Sequence, residues 1–172
     1  MADNFTRDLV DECATLQFGR AFAQVIQPGM YVFLQGNLGA GKTTFVRGFL
    51  EGLGFHGRVK SPTYTLLESY EISGENGLIL TVNHFDLYRF TDEEEWEAAG
   101  FREAFNAQSV CLIEWPEKAA NILPKPDIEL TLTMKPIPEN STVGRQAAVQ
   151  GLSEVGKKVS QAWLAFEQKG SV

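Results

Sequence analysis

The stretch Gly36-Asn37-Leu38-Gly39-Ala40-Gly41-Lys42-Thr43 follows the apolar run Tyr31-Val32-Phe33-Leu34 and opens Thr44-Phe45-Val46-Arg47-Gly48-Phe49-Leu50, which is spaced as a helix. It is a complete G-x-x-x-x-G-K-[ST] pattern in the strand, loop and helix setting that such a pattern requires. Glycines let the backbone turn so that successive amide N–H groups converge on one concavity. The helix N-terminus adds its positive end, and phosphate oxygens are attracted there. Lys42 supplies a mobile charge for β- and γ-phosphates, and Thr43 supplies the hydroxyl that ligates Mg²⁺ in loops of this kind. A plain glycine turn needs neither the lysine nor the hydroxyl. Residues Gly36 to Thr44 are therefore expected to bind a nucleoside triphosphate. The chain is expected to fold as an α/β P-loop NTPase, a central mixed β-sheet flanked by helices with the loop at the carboxyl end of a central strand.

At 172 residues the chain suits one domain, residues 1–172, with a sizeable core. Its formal net charge of -7 repels polyanions and argues against an unaided grip on nucleic acid. Of two cysteines, Cys13 falls in a helical pattern and Cys111 in the apolar run Val110-Cys111-Leu112-Ile113. Both read as reduced core thiols, which suits a reducing cytoplasm. Met1-Ala2-Asp3-Asn4 carries no cationic segment before an apolar stretch, and no apolar run approaches membrane-spanning length. A soluble, cytoplasmic protein without membrane contact is expected.

From about Arg7 to Ile26, Leu9, Val10, Cys13, Leu16, Phe18, Phe22, Val25 and Ile26 recur at helical spacing until Pro28-Gly29. Two strand-like runs, about 64–72 and 78–86, flank Gly74-Glu75-Asn76-Gly77 as in an antiparallel hairpin. Thr91 reads as the N-cap of an acidic helix start, Asp92-Glu93-Glu94-Glu95. Strands are expected over 109–114 and 128–133, then a loop beyond Pro136 and Pro138 and a short strand near 145–150. Leu152, Val155, Val159, Trp163 and Phe166 are spaced as a packing helix.

Hydrolysis needs, besides the loop, an acid to hold or orient Mg²⁺ and groups that respond to the γ-phosphate. Glu114 ends an apolar strand, the usual place of a Walker B acid, and Asp86 ends Leu78 to Phe85 in a similar way. Each is either a functional acid or a polar residue closing a strand, and company with a firm phosphate loop raises both. Ser61-Pro62-Thr63, in a glycine-flanked segment, is either a switch loop offering a hydroxyl to Mg²⁺ and the γ-phosphate or a plain turn. Trp115 is either a partner contact or a cap on the core. His56 and His84 have no second ligand at metal spacing and read as structural or surface residues. Arg145 and Arg89 are candidate phosphate sensors.

Gly36 to Thr44, Val59 to Leu66, His84-Phe85-Asp86-Leu87-Tyr88-Arg89 and Cys111-Leu112-Ile113-Glu114-Trp115-Pro116 together resemble, in order and spacing, the bacterial TsaE (YjeE) family. Asp11-Glu12 followed by Ala14-Thr15-Leu16 looks like that family's entry segment. The resemblance implies an ATPase that supports formation of N6-threonylcarbamoyladenosine beside the anticodon of tRNAs reading codons that begin with A. It implies binding to the TsaD-TsaB transferase complex, and contact with tRNA only through it. By the same resemblance Thr43 and Glu114 would hold Mg²⁺, Lys42 and the loop amides would hold the phosphates of ATP, and Asp86 would assist hydrolysis. Ser61 to Thr63 would form the switch loop, with Thr63 in the catalytic set, Glu12 near the base and Arg145 near the phosphates. Glu97-Ala98-Ala99-Gly100 departs from the bulky apolar residues the family carries there.

A small-molecule kinase usually needs an arginine-rich lid and an acceptor site, and the arginines here are scattered without a cluster. A GTPase needs an N-K-x-D element and a D-x-x-G switch, and neither occurs. A module that binds ATP only to fix its shape differs from a hydrolase in whether a water stands in line with the γ-phosphate.

Overall fold

In the computed structural model, which describes residues 3–137 and 142–170, the elements run β1 (Asn4–Leu9), α1 (Glu12–Ala23), β2 (Tyr31–Gln35), α2 (Lys42–Gly52), β3 (Leu67–Ser73), β4 (Ile79–Asp86), α3 (Glu93–Ala98), β5 (Ser109–Glu114), β6 (Ile128–Ile137), β7 (Thr142–Gly151) and α4 (Glu154–Lys169). The strands form a seven-stranded mixed sheet in the order β1-β7-β6-β2-β5-β4-β3. β2 lies parallel to both β5 and β6, and β4 lies parallel to β5. The β3–β4 pair, the long β6–β7 ribbon and the β1 edge are antiparallel.

Side chains of the central strands alternate between two cores, as the period of a pleated strand requires. Val32, Leu34, Val82, Val110 and Leu112 face α1, α2 and α4, in a cluster with Phe18, Phe22, Phe45, Phe49 and Trp163. The Trp163 indole stacks on both Phe18 and Phe22, with ring centroids 4.4 Å apart in each case. Cys111, Ile113 and Phe85 face the other way and pack with Trp96, Phe90 and Phe101. Among the described residues no helix is long and apolar enough to cross a membrane.

Several sequence expectations are corrected. The helical pattern from Arg7 joins two elements. Residues 4–9 form an edge strand against β7, with Leu9 buried, and α1 begins only after Asp11, whose side chain accepts from the Ala14 amide at 2.8 Å. Cys13 is exposed, because the buried stripe of α1 runs through Thr15, Phe18, Gly19 and Phe22, and Cys13 lies in the first turn away from it. Cys111 is a buried thiol, as expected. The cap of α3 is Asp92, not Thr91, and its side chain accepts from the Glu94 amide. β3 begins at Leu67, not at Tyr64, which is exposed. β6 runs through Pro136, tolerated because β2 pairs only with Ile128 to Thr131 and the outer side of β6 is free of a strand beyond that. The loop expected beyond Pro138 falls outside the described residues. α4 begins at Glu154 after the Ser153 cap, so Leu152, which is exposed, lies before the helix; on α4 itself Val159 and Trp163 are buried and Phe166 is exposed.

α1 and α2 approach closely enough for backbone contact. A methyl group at Gly48 would lie 2.2 Å from the Leu16 carbonyl oxygen, and one at Gly19 would lie 2.4 Å from the Phe45 carbonyl oxygen. Because α2 carries the phosphate loop at its start, this contact seats the loop as well as the core. Gly48→Ala is expected to lower stability by about 1–3 kcal/mol in urea unfolding. Gly170→Ala, at the end of α4 with no atom closer than 3.8 Å, should stay within about 0.5 kcal/mol of the parent. Equal stability of the two variants would refute the close-contact account.

Candidate functional site

Parallel strands end on one edge of a sheet, and here that edge holds a pocket of about 510 Å³. Its lining includes Leu38 to Thr44 of the loop, Asp86 at the end of β4 and Glu114 at the end of β5. Ser61, Thr63, Trp115, Glu12 and Arg145 are also among the lining residues. Gly36 and Asn37 line a shallower recess behind the loop, and Arg89 lies outside the pocket, its guanidinium 4.8 Å from the Tyr64 ring.

The loop turns on glycines in the left-handed region, with Gly39 at φ 80° and Gly41, the residue before α2, at φ 103°. Arg145, on β7, spends its guanidinium on backbone carbonyls: Nε donates to Ala40 O at 3.0 Å and Nη2 to Gly39 O at 2.9 Å. Nη1 donates to the carbonyls of Val143 and Gly144. Arg145 thus staples the phosphate loop to the antiparallel ribbon. Its backbone partners were not visible in the sequence.

Lys42 is 5% exposed. Its ammonium donates to Gly36 O and sits 4.0 Å from the centroid of the Trp115 indole. Burial pushes its pKa below the usual lysine value, opposed by the nearby carboxylates of Glu114, Asp86 and Glu117. Trp115 holds this place in a left-handed conformation at φ 58°, unusual for a bulky residue and more so before a proline. Leu66, whose carbonyl accepts from the Asp86 amide, is also left-handed at φ 66°. Backbone strain therefore flanks both pocket acids, at about 1–3 kcal/mol for each such residue.

Asp86 and Glu114 stand directly opposite each other in the β4–β5 register. Asp86 is 9% exposed, with Oδ1 accepting from the Tyr88 amide at 3.1 Å. Burial raises its carboxyl pKa, the Tyr88 hydrogen bond opposes that, Glu114 adds to it, and His84 and Lys42 oppose it. Glu114 is 3% exposed, and its Oε2 lies 2.6 Å from Nε2 of the fully buried His84. Of the two readings open in the sequence, structural or surface, His84 is structural, and its place two residues before Asp86, on the same strand face, is the signal for its contact with a pocket acid.

The remaining candidates are looser. Ser61 and Thr63 hydroxyls bond to each other at 2.7 Å on the pocket wall, and Glu12, on the rim, meets Arg47 at 3.6 Å across solvent. The oxygen donors at the pocket floor, the Thr43 hydroxyl with the Glu114 and Asp86 carboxylates, are of the hard kind that suits Mg²⁺. Among the described residues no group of three or more His, Cys, Asp or Glu is placed to hold a metal ion by itself. A cation here fits as a ligand shared with a triphosphate, the usual way in which Mg²⁺ is held through one or two carboxylates and substrate phosphates.

Comparison with known proteins points to one family. The family model described as "Threonylcarbamoyl adenosine biosynthesis protein TsaE" matches residues 9–143. The Haemophilus influenzae protein named tRNA threonylcarbamoyladenosine biosynthesis protein TsaE is 48% identical over 131 residues, spanning 73% of this chain and 80% of its own length. The Bacillus subtilis protein of the same name is 39% identical over 118 residues, 69% of this chain and 70% of its own. The crystal structure of Bacillus subtilis YdiB superposes with a TM-score of 0.72 at 27% identity, covering 97% of this chain and 98% of that one.

Two measurements test the site as a physical object. A buried carboxyl with a raised pKa opposes folding once ionised, so Asp86→Asn should stabilise the ligand-free protein at neutral pH. The gain should fade as pH falls below the ordinary carboxylate value, where both folded and unfolded Asp86 are protonated. Thermal unfolding at pH 7 and pH 3.5 reads this, and a gain that grows toward low pH would contradict it. A triphosphate that engaged the Lys42 ammonium would draw it off the Trp115 ring, so indole emission should change on adding ATP. The change should vanish in Trp115→Phe, since Trp96 and Trp163 are buried away from the pocket.

Proposed function

The chain belongs to the TsaE family of tRNA threonylcarbamoyladenosine biosynthesis proteins, and from that premise we propose that residues 1–172 act as a single Mg²⁺-dependent ATPase domain serving the modification. The observation that carries the reading is the convergence on one pocket of a phosphate loop, its lysine and hydroxyl, and two in-register carboxylates.

In this reading the loop amides and Lys42 take the β- and γ-phosphates, Lys42 leaving Gly36 O and the Trp115 ring to do so. Thr43 and Glu114 hold Mg²⁺, which when bound neutralises charge on the phosphate oxygens. Asp86, its pKa raised by burial, is poised to accept a proton from the attacking water, since a base whose pKa approaches the working pH is the more effective one. Thr63 and Ser61 close over the γ-phosphate. Arg145 keeps the loop in shape by holding its carbonyls, a positioning role in place of the direct phosphate contact expected from the sequence. Glu12, on the rim, is placed to approach the base.

The partner in this proposal is the TsaD-TsaB transferase complex in the cytoplasm, with tRNA reached only through it. Two features support a partner-gated site. The net charge of -7 disfavours an unaided hold on tRNA. The one arginine among the described pocket-lining residues is committed to four backbone carbonyls and so does not serve as a finger on the γ-phosphate.

ATP turnover by the purified chain, alone and with TsaD-TsaB and tRNA, tests the proposal. Slow hydrolysis stimulated by the complex is expected. Lys42→Ala should weaken ATP binding about 10- to 100-fold through loss of charge-assisted hydrogen bonds. Asp86→Asn should keep ATP binding and lose about 10²- to 10⁴-fold in turnover. ATP binding without turnover under any of these conditions would convert the reading to a nucleotide-dependent assembly factor.

A further inference from the structure

His84 is the one histidine in the core. It is fully buried, and among the described residues the one hydrogen-bonding partner of its side chain is the carboxylate of Glu114, 2.6 Å from Nε2. Nδ1 is buried with no hydrogen-bond partner. A carboxylate accepts, so Nε2–H of His84 is the donor in this contact. Burying a histidine in an otherwise apolar position with one nitrogen unsatisfied costs free energy that a leucine of similar volume would avoid. The contact it makes in return fixes one oxygen of a single pocket acid.

The geometry of the sheet gives this contact a direction. Asp86 and Glu114 face each other across the β4–β5 pair, and His84 is opposite Leu112, one strand repeat back from Glu114 on the same face. The imidazole therefore approaches Glu114 from inside the core, while the carboxylate also lines the pocket. A carboxylate held at one oxygen from behind loses freedom to rotate and presents its other edge in one orientation.

We propose that His84 is a positioning residue, which clamps Glu114 through Nε2–H so that its carboxylate is preset to receive the nucleotide-bound divalent cation. The inference rests on the ATPase reading above and assigns His84 no contact with nucleotide or metal. Groups that orient a metal-ligating side chain in this way typically carry about 10- to 100-fold in metal affinity.

The test uses binding of a fluorescent, non-hydrolysable ATP analogue to the full chain, titrated with Mg²⁺ and repeated in EDTA. His84→Leu should need about 10- to 100-fold more Mg²⁺ for half-maximal tightening, while binding in EDTA stays within about 2-fold of the parent. His84→Gln, whose side-chain amide reaches Glu114 as Nε2 does, should return the Mg²⁺ requirement to within about 3-fold of the parent. An unchanged requirement in His84→Leu would overturn the inference and leave the ATPase reading standing. A glutamine variant as impaired as the leucine variant, or an equal loss with and without Mg²⁺ in both, would assign His84 to packing and also overturn it. A parent protein whose binding ignores Mg²⁺ would instead remove the metal from the proposed function, and this inference with it.

Discussion

Parallel pairing of β4, β5 and β2 puts three carboxyl-terminal strand ends side by side, and the chemistry of the pocket is a consequence of that alignment. The β4–β5 register sets Asp86 against Glu114, and the β2–β5 register brings the turn after β2, which is the phosphate loop, to the same edge. Two acids so close and so buried repel each other, which is one reason the Asp86 carboxyl holds its proton more firmly than usual. Lys42 is the buried cation that partly offsets them, and its own burial works against its charge. Burial pushes the Asp86 carboxyl and the Lys42 ammonium each toward its neutral form. A triphosphate with its cation would supply charges of both signs to that edge, so the protein's least comfortable electrostatics lie where a ligand would relieve them.

Much of this was legible from the residues because its signals are local. The phosphate loop has fixed spacing, β5 is an unbroken apolar run ending in an acid, and the β3–β4 hairpin is marked by Gly74 to Gly77. What escaped depends on contacts between distant segments. Residues 4–9 alternate weakly, as an edge strand does, and the apolar residues beyond them extended a false helical pattern back to Arg7. The exposure of Cys13 follows from that same error of phase. Arg145 looks like any surface arginine until β7 is laid against the loop, a separation of 106 residues from Gly39. His84 reads as a structural or surface residue in the sequence, and its partner Glu114 lies 30 residues away on the neighbouring strand.

The left-handed residues Leu66 and Trp115 sit at equivalent places, one at the start of β3 beside Asp86 and the other immediately after Glu114. Neither is a residue type that adopts this conformation readily. Each aims a backbone or a ring at the pocket: the Leu66 carbonyl at the Asp86 amide, the Trp115 indole at the Lys42 ammonium. The aromatic core lies on the opposite side of the sheet from α3, where the Trp163 indole stacks on two phenylalanines.

The two thiols differ more than their number suggests. Cys111 is buried in the sheet with its pKa pushed up to about 12 by burial, so it is held as an inert thiol. Cys13 is exposed on the first turn of α1, next to Glu12 and Asp11 of the pocket rim. The natural sequence therefore offers one accessible attachment point for a thiol-directed dye or spin label, one residue along α1 from the pocket-lining Glu12, with no engineered cysteine required.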